Sequence, residues 1–140
     1  MPRPRMHVTS AVLGSGDPMA LAAFYERLLG WSIVASDPPR PGFPAEDGWA
    51  MLRPPPEHEG LLALAVQYEP DYRPPVWPPA PGEQGMMMHL DIAVDDLDAT
   101  VAWALEAGAI LAEHQPQDQV RVLLDPAGHP FCLFPDAEPG

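Results

Sequence analysis

The chain has 140 residues with 20 acidic side chains against 7 basic ones, a formal charge of -13, and such a field repels phosphate backbones and anionic lipid headgroups. Nucleic acid and membrane surfaces are thereby disfavoured as partners, and 46% hydrophobic against 19% charged residues marks a globular protein rather than a disordered one. Cys132 is the only cysteine, so no intramolecular disulfide forms, and the longest apolar run, Leu61 to Val66, falls far short of the ~20 residues of a membrane helix; a cytoplasmic location is expected.

His7 to Leu13 is partly β-branched, is bounded by Gly14-Ser15-Gly16, and is expected as the first strand. Asp17-Pro18 then joins a side-chain N-cap to a proline at the first helical position, where its missing N–H costs nothing. Leu21, Phe24, Tyr25, Leu28 and Leu29 follow at the spacing of one helical face, and Gly30 supplies the stop. Trp31 to Ser36 is expected as a strand, Asp37 to Asp47 as a proline-rich loop, Trp49 to Arg53 as the third strand and Leu61 to Tyr68 as the fourth. From Pro70 to Pro81 there are six prolines with Tyr72, Arg73 and Trp77 among them, an extended crossover unsuited to a central strand. It is read as a semi-rigid spacer, with Tyr72 and Trp77 available to cover a ligand.

The order then repeats. His89 to Val94 alternates Leu90, Ile92 and Val94 against His89, Asp91 and Ala93, the period of a strand. Asp95 or Asp96 turns it into a helix running to Ala107, with Leu97, Val101, Ala104 and Leu105 on one face. The interval from Asp17 to Gly30 equals that from Asp95 to Gly108, which implies a helical unit repeated in length as well as in kind. Ala109 to Glu113 and Val120 to Leu124 are expected as strands, Asp125 to Pro130 as a turn, and Phe131 to Phe134 as the closing strand. Met86-Met87-Met88 ahead of His89 is read as core leading into that strand, with thioethers also suited to varied apolar ligands. The fold class is α+β, two βαβββ modules: residues 1–69, a crossover linker at 70–85, and residues 86–140, forming one compact domain.

Asp17-Pro18, Phe24-Tyr25 and Leu29-Gly30-Trp31 in the first half, and His89-Leu90-Asp91, Val94-Asp95-Asp96-Leu97, Gly108-Ala109 and Asp125 to Leu133 in the second, together resemble the vicinal oxygen chelate superfamily. That group contains glyoxalase I, extradiol dioxygenases and bleomycin resistance proteins, and the likeness spans nearly the whole chain. Tyr72, Pro74-Pro75 and Trp77-Pro78 further resemble its glyoxalase-like branch of high-GC bacteria. The resemblance implies a paired, curled mixed sheet around a central cavity, with metal ligands drawn from the first and last strands of each module. Carried over position by position, those places fall on Ser10, Gln67, His89 and Cys132. Only His89 is a ligand of the family's usual kind, and no carboxylate stands at the last-strand positions to balance a cation or move a proton. No metal is therefore favoured; if a divalent ion binds, His89, Gln67 and Cys132 would hold it.

The leading expectation is a glyoxalase-like small-molecule-binding protein with a degenerate metal site. Ser10, Gln67, His89 and Cys132 would contact the ligand, with Trp49 and Trp77 as walls, and the compound sequestered would be apolar, aromatic or cationic, such as an antibiotic. The alternative is a metal-dependent lyase, isomerase or oxygenase of the glyoxalase type. A homodimer is the expected assembly, and the catalytic residues, if any, are not legible. His7, His58, His114 and His129 have no sequence-close partner at metal spacing and are read as surface or turn residues.

Overall fold

The computed structural model describes residues 2–58, 60 and 62–136, and the chain divides into two compact units at the junction of Glu69 and Pro70. The first unit runs β1 (Ser10–Ser15), α1 (Pro18–Leu29), β2 (Ser32–Asp37), β3 (Trp49–Arg53), a 3-10 turn at Pro56–His58, and β4 (Ala63–Tyr68). The second runs β5 (Leu90–Val94), α2 (Leu97–Ala107), β6 (Ile110–Leu111), β7 (Arg121–Leu124) and β8 (Pro130–Pro135). Each carries a four-stranded mixed sheet in the same order, β1-β4-β3-β2 and β5-β8-β7-β6, with the first pair parallel and the others antiparallel. The two βαβββ modules are thus repeats in topology.

Each helix begins where the sequence provides a cap. The Asp17 carboxylate accepts from the Ala20 N–H at 3.2 Å with Pro18 at the first helical position, and Gly30 closes α1 at φ 70 by donating to the Glu26 carbonyl. In α2 the cap is Asp96, accepting from the Ala99 N–H at 3.0 Å, so α2 has 11 residues against 12 in α1. The repeat holds in kind and differs by one residue in length, because Asp95 stays outside the helix.

In the first unit α1 buries Leu21, Ala22, Phe24 and Tyr25 against β3 and β4, where Ala50, Leu52, Leu64 and Val66 are buried in turn. Because Ala50 pairs with Val66 and Leu52 with Leu64, these four share one sheet face. In the second unit Ala104 and Ala107 are the buried positions of α2, while Leu105 is 43% exposed; the stripe runs from Val101 in three-residue steps and passes Leu105 by.

Several element ends differ from expectation for one reason, the position of the partner strand. β1 starts at Ser10 rather than His7 and runs through Gly14 and Ser15, since its parallel partner begins at Ala63 and the last rung joins Ser15 to Tyr68. Gly14 suits the rung before it, opposite Gln67, as a Cβ there would lie 2.7 Å from Glu69 Cγ. β6 is only Ile110–Leu111: the next rung keeps the bond from the Ala112 N–H to the Val122 carbonyl at 3.0 Å, but Gln115 replaces the rest by donating to the Ala112 and Val122 carbonyls and accepting from the Val122 N–H, each at 2.8 Å. Met87 and Met88 are 90% and 73% exposed, so they are not the core positions anticipated. Leu61 lies outside the described residues.

Candidate functional site

The face of the first sheet away from α1 is reached by Ser10, Val12 and Gly14 on β1, by Ala63, Ala65 and Gln67 on β4, and by Trp49 on β3, since these alternate with, or pair beside residues that alternate with, Ala50, Leu52, Leu64 and Val66. Register then separates Ser10 from Gln67. Ser10 stands opposite Ala63 and Gln67 opposite Gly14, four rungs or about 13 Å along the strands. Gln67 is instead the direct neighbour of Trp49, and Trp49 of Asp37. A single row, Asp37, Trp49, Gln67 and Gly14, therefore crosses all four strands.

Three members of that row, Asp37, Trp49 and Gln67, line a cavity of about 680 Å³. Trp49, Gln67 and Tyr68 line it from the sheet, and Pro38 to Pro41 with Asp47 line it from the β2–β3 loop. The loop is held by a two-point ion pair: Arg40 Nη2 donates to Asp47 Oδ1 at 2.7 Å and Arg40 Nε to Oδ2 at 3.0 Å, with the Arg40 backbone N–H on Oδ2 at 2.8 Å. The Asp47 side chain is 2% exposed, and the bonds from Arg40 hold its carboxyl below the usual carboxylate range, while the same bonds raise the guanidinium. The guanidinium also lies 3.8 Å over the Phe43 ring, so it is engaged on two sides.

In the second unit, His89 precedes β5 and Asp91 lies two residues on, which puts both on one face of the sheet; Cys132 is the register partner of Asp91 across the parallel β5–β8 ladder. His89 Nε2 sits 3.0 Å from Asp91 Oδ1, and one donor atom from each of His89, Asp91 and Cys132 falls within 4.8 Å of the others. Burial first, then the Asp91 charge and the bond the thiol donates to that carboxylate, push the Cys132 thiol up from its ordinary value. His89, Asp91 and, once deprotonated, Cys132 would together offer a divalent ion such as zinc an imidazole, a carboxylate and a thiolate. The expected place for a carboxylate was a last strand; the carboxylate present is Asp91, from the neighbouring first strand. The alternation places Asp91 on the same strand face as His89, but its position opposite Cys132 follows only from the parallel register.

Trp77 and Tyr72 are fastened within the second unit. The Trp77 indole N–H donates to the His114 carbonyl at 3.1 Å and its ring packs on His114. The Tyr72 hydroxyl donates to the Ala127 carbonyl at 2.8 Å and lies 3.1 Å from His129 Nε2. His129 Nδ1 in turn meets the Asp125 carboxylate at 2.9 Å, and that fully buried carboxylate also accepts from the Ala127 and His129 N–H groups. Burial, with the Asp125 charge nearby, pushes the Tyr72 phenol up to about 12, so Tyr72 acts as a neutral donor across the ordinary pH range. His129 is thus a turn residue as anticipated, but one that also anchors the crossover segment.

The glyoxalase-like domain family model matches residues 10–134. The chain belongs to the glyoxalase-like domain family, within the vicinal oxygen chelate superfamily. Among solved structures, this glyoxalase-like domain is similar to a glyoxalase family protein from Enterococcus faecalis, at 21% identity and TM-score 0.59 over 93% of this chain and 96% of that one. It is similar to a glyoxalase/bleomycin resistance protein/dioxygenase family enzyme from Burkholderia phytofirmans, at 18% identity and TM-score 0.61 over 89% and 94%. It is also similar to TnmS3, an antibiotic binding protein from Streptomyces, at 18% identity and TM-score 0.57 over 97% and 100%. At such identities the likeness shows the fold. No curated protein matches the chain in sequence.

Proposed function

We propose that this glyoxalase-like domain binds a small molecule with an apolar or aromatic body. The observation that carries this is the cavity of about 680 Å³ with Trp49 and Gln67 on its wall, a volume within the roughly 300–1,000 Å³ of small-ligand sites. Its makeup supports the same reading: proline rings and an indole offer flat apolar surface, and the Gln67 amide offers one donor and one acceptor for orientation. The antibiotic binding protein TnmS3 sets a precedent for binding on this fold, although fold alone assigns no ligand. The test uses N-phenyl-1-naphthylamine, a neutral aromatic fluorophore. Saturable binding that Trp49→Ala weakens about 10-fold is expected, the equivalent of about 1.4 kcal/mol; non-saturable binding, or saturable binding indifferent to Trp49, would sink the proposal.

A metal-dependent reaction is the second reading, and the His89, Asp91 and Cys132 cluster favours it. A divalent ion there would supply Lewis acidity to a substrate oxygen. The chain's own part would be to give up the Cys132 proton, which Asp91 now helps to retain, and to hold the imidazole through its 3.0 Å contact with Asp91. Protein purified without chelators and assayed by elemental analysis, then loaded with cobalt(II), should show stoichiometric metal and a thiolate-to-cobalt absorption band that Cys132→Ser abolishes. Metal-free protein that takes up no cobalt removes this reading.

A further inference from the structure

Resting on the proposal that the first unit's cavity binds a small molecule, we propose that its ligand is an organic ammonium ion, held with its charge between the Asp37 carboxylate and the Trp49 indole. Asp37 and Trp49 are direct cross-strand partners at the ends of β2 and β3, which puts their Cβ atoms about 5 Å apart on one face. A cation seated against the indole face is therefore within reach of the carboxylate, and cation–π attraction and ion pairing act on the same atom.

The accounting of charge around the cavity selects this class. Asp37, Arg40 and Asp47 are the charged residues of its lining. Arg40 and Asp47 neutralise each other through paired bonds of 2.7 and 3.0 Å, and the guanidinium is further covered by Phe43. Asp37, by contrast, has no hydrogen bond or ion pair from its carboxylate among the described residues. The cavity therefore carries one uncompensated negative charge beside an aromatic face. An anionic ligand would have to break the Arg40–Asp47 pair and leave a buried carboxylate unpaired, a costly exchange. Gln67, on the far side of Trp49, directs its amide nitrogen to Glu69 Oε1 at 3.4 Å, which leaves its carbonyl oxygen free to accept from a ligand N–H or O–H. Pro38, Pro39 and Pro41 give the ligand body a rigid apolar wall.

The test compares 2-phenylethylammonium with its neutral near-isostere 2-phenylethanol on the full-length protein, followed by calorimetry and by the Trp49 indole N–H resonance, assigned through its loss in Trp49→Phe. The ammonium should bind at least about 5-fold more tightly than the alcohol and shift the Trp49 signal. Asp37→Asn should cut that preference down to the part that the overall acidic field supplies, whereas Glu26→Gln, which removes the same charge from exposed α1 on the opposite face of the sheet, should preserve it. Equal affinity for the two compounds, or equal losses in Asp37→Asn and Glu26→Gln, overturns the ammonium assignment. If the alcohol binds as well as the ammonium and both are lost in Trp49→Ala, the cavity remains a binding site and only the cation is wrong. If neither compound binds, both proposals fall together.

Discussion

Cys132 shows how one neighbour decides the chemistry of a residue. Its thiol is half-buried and donates to Asp91, and both circumstances favour the neutral form. Because the folded-state pKa is raised, the contribution of this thiol to stability is present below the ordinary thiol pKa and is lost as pH rises through the folded value. Thiol reagents should accordingly label Cys132 slowly at neutral pH. Asp91→Asn leaves the burial but removes the negative charge, so the rate of labelling at pH 8 should rise about 3- to 10-fold, as measured by the release of thionitrobenzoate from Ellman's reagent. An unchanged rate would mean that burial alone sets the thiol. His89 and Cys132 were recognisable in the sequence as site positions, yet Asp91 was not, although it sits on the same strand face as His89. The family pattern draws attention to last-strand carboxylates, and only the parallel register of β5 with β8 reveals that Asp91 stands directly opposite Cys132.

Elements were legible where their signals are local. Asp17-Pro18 and Gly30 bound α1 because capping depends on residues within one turn, and the helix begins and ends where they stand. Strand ends depend on a distant partner, which is why β1 is displaced to Ser10–Ser15 by the position of β4. The start of α2 was ambiguous between two adjacent aspartates, and the structure assigns the cap to Asp96, whose carboxylate reaches the Ala99 N–H and whose carbonyl accepts from the Thr100 hydroxyl at 2.7 Å. Asp96→Ala should therefore cost about 1 kcal/mol in chemical denaturation. Asp95→Ala, which removes an exposed side chain before the helix, should stay within about 0.5 kcal/mol; equal effects would show that the two aspartates share the cap. The crossover segment was read as a spacer, and its fastening through Tyr72 to the Asp125–Gly128–His129 turn could not be foreseen, because residues 55 and 57 positions apart meet there. Gly128 takes part in that fit: its φ is +88, and a Cβ would come 2.7 Å from Pro74 Cβ.

At the scale of the molecule, the excess of 20 acidic over 7 basic residues acts on any ligand before local contacts do, and the two contributions separate by their response to salt. The screening length shrinks from about 20 Å at 0.02 M to about 4 Å at 0.5 M ionic strength, so the summed field fades while a carboxylate in contact with its ligand is screened much less. Affinity for 2-phenylethylammonium should therefore fall several-fold across that range, whereas affinity for 2-phenylethanol should stay level. The same titration on Asp37→Asn should start from a weaker affinity and fall with a similar slope, because the remaining acidic residues still generate the field. Should salt weaken the alcohol and the ammonium alike, the acidic surface would have no part in ligand capture and would serve solubility alone. Should the slope vanish in Asp37→Asn, the attraction would be wholly local, and Asp37 would account for all of the discrimination between a cation and its neutral counterpart.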